Sequence, residues 1–111
     1  MTTTHEHWTP VCAEHDIVPD TGICALVGSR HVAVFRVGAG RLFAIDNVDP
    51  RSGASVLARG LVGSLGGRIV VASPLYKQHF DLATGECLEE PGQSVPAYAA
   101  KIEDGRVWVA A

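Results

Sequence analysis

The feature of this sequence that most constrains its fold is the short spacing between turn-forming residues. Twelve glycines and six prolines are spread over 111 residues, and the segments between them are rich in valine, isoleucine and alanine. Such segments match short β-strands, because β-branched residues favour strands and glycine and proline bound them. A helical apolar period is found only over residues 54–58, a window of about one turn. The sequence therefore predicts an all-β fold of antiparallel sheets, a sandwich or small barrel with little helix.

Several strands and turns can be placed along the chain. The clearest hairpin is closed by Asp104-Gly105, a pair that favours a type I′ turn. Gly66-Gly67 precedes a continuous apolar segment, which predicts a strand buried on both faces. A turn is predicted at residues 19–22. The predicted strands are residues 8–11, 23–27, 31–37, 41–46, 68–72, 98–103 and 106–109.

Charge and composition exclude several classes of function. The chain has a net charge of −3, and its nine lysines and arginines are scattered singly, so we expect no nucleic-acid partner. No apolar run is long enough to cross a membrane, and residues 1–10 lack a signal-peptide pattern, so we expect a cytoplasmic protein without membrane association. We expect residues 1–7 to form a flexible tail and residues 8–111 to form a single domain.

The chain shows no recognisable catalytic or metal-binding motif. Cys12, Cys24 and Cys87 have neither CxxC nor CxH spacing, so we expect reduced, at least partly buried side chains. The patterns GxSxG, GxxxxGK[ST], GxGxxG and HExxH do not occur. For His79 the sequence leaves two alternatives open, general acid–base chemistry and a plain position on a half-exposed strand.

Two polar segments interrupt the strand pattern, residues 47–54 and 72–85, each with a proline directly after Asp49 or Ser73. Rieske proteins hold a [2Fe-2S] cluster between two loops of the form CxH-xGA and CPxHG-xxFxLxTG, with two cysteines on one iron and two histidines on the other. Here DPRSGA resembles the first loop and SPLYKQHFDLATG resembles the second. The resemblance implies a Rieske-type ferredoxin-like fold with two former cluster-binding loops.

All four ligand positions of that family carry other residues in this chain. Asp49 and Ser73 stand at the cysteine positions, and Arg51 and Tyr76 stand at the histidine positions. A guanidinium does not become a ligand, and carboxylate, hydroxyl and phenol oxygens are hard donors that suit an iron–sulfide cluster poorly. We therefore expect no cofactor or metal in this chain. We also expect polar groups of the two loops, including Asp49, Ser73 and the Tyr76 hydroxyl, to hydrogen-bond across the space that a cluster would fill.

The same pattern resembles the small subunits of assimilatory NAD(P)H-dependent nitrite reductases, which are Rieske-like proteins without the [2Fe-2S] ligands. The strings DPRSGA, GLVG and SPLYKQHFDLATGECLEEP carry this resemblance. It implies an accessory chain that binds and stabilises a large subunit carrying FAD, a [4Fe-4S] cluster and sirohaem, which reduces nitrite to ammonia. The chain alone is then non-catalytic, and Lys77, Gln78 and His79 are hypothetical contacts with the large subunit.

Two other functions remain open at the level of the sequence. The chain could be a working Rieske-type electron carrier that binds iron through non-standard ligands. It could also be a cluster-free β interaction module that serves another oxidoreductase. Visible absorption with stoichiometric iron and sulfide distinguishes the electron carrier, and the identity of co-purifying proteins distinguishes the module.

Overall fold

The structure is a computed structural model that describes residues 7–111, so the predicted tail lies outside it except for His7. The described residues contain short 3₁₀ turns at Glu14–Asp16, Leu57–Arg59 and Pro91–Gln93, and no α-helix. The strands are β1 (Trp8–Ala13), β2 (Thr21–Val27), β3 (Arg30–Val37), β4 (Arg41–Asp46), β5 (Leu61–Leu65), β6 (Arg68–Ala72), β7 (His79–Asp81), β8 (Ala97–Glu103) and β9 (Arg106–Ala110).

The strands form two antiparallel sheets, which confirms the predicted all-β fold. The larger sheet has six strands in the order β1-β9-β8-β4-β3-β2, and the smaller has three in the order β5-β6-β7. In the smaller sheet Leu65 pairs with Arg68 across the Gly66–Gly67 turn. Both glycines have positive φ, as a two-residue hairpin turn requires.

Several sequence predictions need correction at the level of individual elements. Thr21 and Gly22 belong to β2 rather than to the preceding turn, because they pair with β3 in register. The helical window at residues 54–58 is replaced by the 3₁₀ turn Leu57–Arg59. Strands β5 and β7 were not predicted, since β5 contains a glycine and β7 has only three residues. Cys24 is exposed, whereas Cys12 is half-buried and Cys87 is buried.

Two apolar clusters hold the sheets together. One cluster lies between the sheets and includes the fully buried rings of Phe35 on β3 and Phe80 on β7. The other packs against the six-stranded sheet and includes Ile17, Val34 and Val109. Burial of these side chains is the main favourable contribution to folding. The strand predicted to be buried on both faces is β6. Its neighbouring residues Val70 and Val71 point to opposite faces and are both buried.

Two loops emerge from these sheets and meet at one end of the molecule. Loop 1, residues 47–56, follows β4 in the larger sheet, and loop 2, residues 73–78, follows β6 in the smaller sheet. Each loop is therefore anchored in a different sheet. The packed interface between the sheets fixes the position of one loop against the other.

Candidate functional site

Loop 1 is organised by the carboxylate of Asp49. One of its oxygens, Oδ1, accepts hydrogen bonds from the amides of Arg51 at 2.8 Å and Ser52 at 3.4 Å. The amide of Gly53 donates to the backbone carbonyl of Asp49 at 2.7 Å, and Gly53 has a φ of +76°. Aspartate commonly closes such turns because its short side chain reaches the following amides. The sequence Asp-Pro-Arg-Ser-Gly therefore folds loop 1 locally.

Asn47 fixes the base of loop 1, a role that was not predicted from the sequence. Its side chain is 1% exposed. Its Oδ1 accepts from the amide of Ala58 at 2.6 Å, and its Nδ2 donates to Ser55 Oγ at 2.7 Å. The Asn47 carbonyl also accepts from the amides of Val56 and Leu57. A polar residue directly after an apolar strand was the only signal that could have identified it.

Loop 2 is a tight turn between Ser73 and Gln78. The Ser73 amide donates to the Gln78 carbonyl at 2.8 Å, and the Lys77 amide donates to the Ser73 carbonyl at 3.0 Å. Lys77 has a φ of +63°, a left-handed conformation that favours glycine. Lys77 stands where the Rieske motif has glycine, a residue that adopts this conformation without strain.

The two residues that the sequence predicts at the cysteine positions, Asp49 and Ser73, bind each other. Ser73 Oγ donates a hydrogen bond of 2.5 Å to Asp49 Oδ2, and the two residues are 1% and 0% exposed. This is a charge-assisted bond in a site closed to water, which is among the stronger kinds of protein hydrogen bond. The predicted bridging between the two loops is therefore present at Asp49 and Ser73, which we call the buried pair.

The two residues that the sequence predicts at the histidine positions, Arg51 and Tyr76, also contact each other. The guanidinium of Arg51 lies over the Tyr76 ring, with 5.1 Å between its central carbon and the ring centroid. Arg51 also lies 3.9 Å from a Glu90 carboxylate oxygen, an exposed ion pair. Contrary to our expectation, the Tyr76 hydroxyl has no hydrogen-bond partner over residues 7–111, and Tyr76 is 50% exposed. Arg51 and Tyr76, the outer pair, join the loops by a cation–π contact.

The three hypothetical contact residues differ in their exposure. Lys77 is exposed, whereas Gln78 is only 7% exposed and its Oε1 has no partner over the described chain. The half-buried His79 ring lies 2.5 Å from Glu89 Oε2, through Nδ1. Burial raises the pKa of Glu89, but hydrogen bonds from the His79 amide and ring outweigh this, so the pKa lies below its ordinary value. His79 is thus a half-buried residue of β7, as its plain alternative predicted, and its ring is held by Glu89.

The comparisons with known proteins agree with this geometry. The family model described as a Rieske-like [2Fe-2S] domain matches residues 7–110. The chain is 46% identical over 101 residues to the nitrite reductase (NADH) small subunit of Escherichia coli K12, covering 90% of this chain and 94% of that protein. The chain belongs to the family of Rieske-like nitrite reductase small subunits.

A solved structure and a longer relative extend the family comparison. The NMR structure of the Escherichia coli protein NirD is similar with a TM-score of 0.89 and 44% identity, covering 96% of this chain and 98% of that one. The nitrite reductase [NAD(P)H] large subunit of Klebsiella oxytoca is 43% identical over 102 residues. That match covers 92% of this chain and only 11% of the large subunit. In this relative, a small-subunit-like domain is part of the large-subunit chain.

The residues of this family member do not fit the [2Fe-2S] cluster that the domain name implies. Asp49 and Ser73 close directly on each other at 2.5 Å, and Arg51 lies against Tyr76. The four positions offer a carboxylate, a hydroxyl, a guanidinium and a phenol in place of two thiolates and two imidazoles. Over residues 7–111, no group of three or more His, Cys, Asp or Glu side chains could hold a metal ion.

No helix of the described residues is long and apolar enough to cross a membrane.

Proposed function

We propose that this chain is the small subunit of an assimilatory NAD(P)H-dependent nitrite reductase, and that it binds and stabilises the large subunit without carrying a cluster. The observation that carries the proposal is the double replacement at the ligand positions. Each former ligand pair of the fold has become a direct contact, in a chain 46% identical to a named small subunit. A Rieske electron carrier needs cluster ligands at these positions, whereas a docking protein needs only ordered loops.

The contacts between the loops support an ordered docking surface. A bound metal can contribute much of the folding free energy of a small domain, so loops that lose it must be held in another way. The buried pair supplies a charge-assisted hydrogen bond, and a bond of this kind contributes about 1.5–3 kcal/mol. The end of the molecule can then remain a fixed shape that a partner recognises.

In this proposal the redox chemistry belongs to the large subunit. That partner is expected to carry FAD, a [4Fe-4S] cluster and sirohaem, and to pass electrons from NAD(P)H to nitrite. The Klebsiella oxytoca relative supports a close association, because there a similar domain shares one chain with the large subunit. The proposed module is residues 8–111, and its proposed location is the cytoplasm.

The loop 2 end of the molecule is the proposed contact surface. Lys77 presents an exposed ammonium there, and the His79–Glu89 pair lies on the adjoining strand. Gln78 is buried, so in this conformation it contributes to loop shape rather than to direct contact. Reversing the charge at Lys77 and truncating His79 is expected to weaken association in a pull-down, and unchanged binding would argue against this surface.

Co-expression with the nitrite reductase large subunit of the same organism tests the function. We expect the two chains to co-purify, and nitrite-dependent NAD(P)H oxidation to be higher or longer-lived when the small chain is present. We also expect the isolated small chain to be colourless. Two irons and sulfide per chain, with visible absorption, would instead support the electron carrier, and co-purification with a different oxidoreductase would support the alternative interaction module.

A further inference from the structure

Strand β5 is an edge strand whose outer backbone groups are free. It pairs only with β6 in the described sheet. In a hairpin with a two-residue turn, the residues that flank the turn exchange both backbone hydrogen bonds, and the next pair exchanges none. Leu65 and Arg68 flank the turn here. By this alternation the N–H and C=O groups of Val62 and Ser64 point away from β6.

The hydrogen bonds of β6 agree with this alternation. Ile69 lies opposite Ser64, and its carbonyl points away from β5, since it accepts a hydrogen bond from the amide of Leu82 at 3.0 Å. Over residues 7–111, neither Val62 nor Ser64 takes part in a backbone hydrogen bond with a loop or turn. Both residues can therefore pair with an added strand.

The β5 edge lacks the features that usually protect an edge. Its sequence, LVGSL, contains no charge and no proline. The β1 edge contains Pro10 and a β-bulge, and the three-residue strand β7 is covered by hydrogen bonds from residues 86–88. The remaining edge strand, β2, has no charge or proline either, but the 3₁₀ turn Leu57–Arg59 packs against its face. An uncharged open edge is a template for pairing with another chain.

The surroundings of β5 indicate what kind of chain would pair with it. Leu61 is 81% exposed and Leu65 is 43% exposed, so both ends of the strand present apolar surface. A cavity of about 220 Å³ at the Leu61 end is lined in part by Arg59, Pro74 and Lys77. Neither Arg59 nor Lys77 forms an ion pair within the described chain. On a protein of net charge −3, two free cations beside an apolar edge favour an acidic segment.

We propose that an extended, acidic segment of the large subunit adds to β5 as a fourth strand of the smaller sheet. Its backbone pairs with Val62 and Ser64, and its carboxylates bind Arg59 and Lys77. Strand addition of this kind derives affinity from backbone hydrogen bonds and specificity from the side-chain pockets. The inference rests on the proposed function, because it takes the large subunit as the partner.

A proline substitution tests the backbone pairing. Ser64→Pro removes an N–H that points to solvent, so the β5–β6 hydrogen bonds are kept. We expect this variant to bind the large subunit at least about tenfold more weakly, the level at which an interface residue counts as important. Ser64→Ala changes the same side chain but keeps the N–H, and it is expected to bind within about twofold of wild type. Equal, undiminished binding by a folded Ser64→Pro variant would overturn strand addition.

Charge reversal tests the acidic character of the segment. We expect Arg59→Glu with Lys77→Glu to reduce affinity by about tenfold or more and to flatten its salt dependence, since the lost attraction is screened by salt. Arg106→Glu is the control for Arg59→Glu alone, which changes the net charge equally, because Arg106 is an exposed cation without an ion pair on β9. An equal loss in the control would show that net charge, rather than this surface, governs binding.

A measurement on the wild-type complex needs no variant. Amide hydrogen exchange of Val62 and Ser64 is expected to slow only when the large subunit is bound, and unchanged exchange would contradict the proposal. If the isolated chain dimerises and Ser64→Pro makes it monomeric, β5 pairs with a second copy and the proposed partner is wrong. Failure of the wild-type chain to bind the large subunit at all would refute the proposed function instead.

Discussion

Loop 1 and the segment that begins at Asp81 contain the same turn, and they differ in what the aspartate contacts outside it. In each turn the aspartate Oδ1 accepts hydrogen bonds from the amides two and three residues later. A glycine with positive φ, Gly53 or Gly85, donates its amide to the aspartate carbonyl at 2.7 Å. The second oxygen of Asp49 binds the Ser73 hydroxyl, whereas that of Asp81 binds the Arg68 guanidinium at 2.7 Å.

The difference shows how one local motif serves two structural roles. At the former cluster site the carboxylate is fully buried and is bound only by neutral donors. At the second turn the Asp81 side chain is also buried, at 9% exposed, but Arg68, which binds both Asp81 and Glu86, is 38% exposed. A buried carboxylate depends on every donor around it, whereas water can replace part of a half-exposed network. The two turns should therefore respond differently to the same substitution.

Removing the two carboxylates should give the largest difference. We expect Asp49→Ala to lower the free energy of unfolding by about 3–5 kcal/mol, because the Ser73 hydroxyl and two amides lose their acceptor in a buried site. Asp81→Ala should cost about 1–3 kcal/mol, because Arg68 keeps Glu86 and solvent access. Urea unfolding of both variants measures the difference, and the comparison fails if Asp81→Ala is the more harmful.

Alanine substitutions at the two turn glycines provide a second comparison, with a smaller expected difference in stability. Gly53 and Gly85 have φ values of +76° and +82°, so alanine is strained at both positions. A Cβ at Gly85 would also collide with the Val95 carbonyl, whereas a Cβ at Gly53 meets open space. We expect Gly85→Ala to be more destabilising than Gly53→Ala by about 2 kcal/mol, from overpacking. Thermal unfolding compares them, and equal losses would show that the segment around Val95 moves aside freely.

Acid titration should distinguish the Asp81 turn, which is ion-paired to Arg68, from the Asp49 turn. The expected effect on stability is smaller again. Burial raises the pKa of Asp81, but hydrogen bonds from Arg68 and from the amides of Ala83 and Thr84 outweigh this and hold the pKa below its ordinary value of 3.8. The unfolded chain then binds more protons, so Asp81 contributes stability above about pH 4 that is lost as the pH falls through its folded pKa.

We therefore expect Asp81→Asn to flatten the decline of stability as the pH falls below about 4. Asp104→Asn, in the exposed β8–β9 turn, controls for the loss of one charge. Urea unfolding as a function of pH makes the measurement. A decline as steep in Asp81→Asn as in wild type would contradict the role of the Arg68 contact.

The smallest expected effect concerns the outer pair of the former cluster site. Arg51 stacks on the Tyr76 ring at an exposed position, where a cation–π contact contributes about 0.5–1 kcal/mol. A double-mutant cycle of Arg51→Ala and Tyr76→Ala is expected to give a coupling in that range. A coupling near zero would mean that the buried pair alone joins loop 1 to loop 2.

The fold and the loop positions were predictable from the sequence to different degrees. The hairpin at Asp104-Gly105 was clear because its turn residues act locally, and the loop motifs predicted the hydrogen bond between Asp49 and Ser73. Strands β5 and β7 were missed because short or glycine-containing strands depend on pairing with β6. The exposure of Cys24 and the burial of Gln78 also differed from expectation, since exposure depends on neighbouring elements.

The sequence by itself determined the all-β class, the family and which residues stand at the four predicted ligand positions, because strand length, turn chemistry and residue identity are local properties. It also determined both aspartate turns, since each turn closes within six residues of its own chain segment. Only the tertiary structure decided that Asp49 meets Ser73 while Asp81 meets Arg68, and that β5 keeps an open edge. Those outcomes depend on how two sheets pack, which joins residues that are distant in the chain.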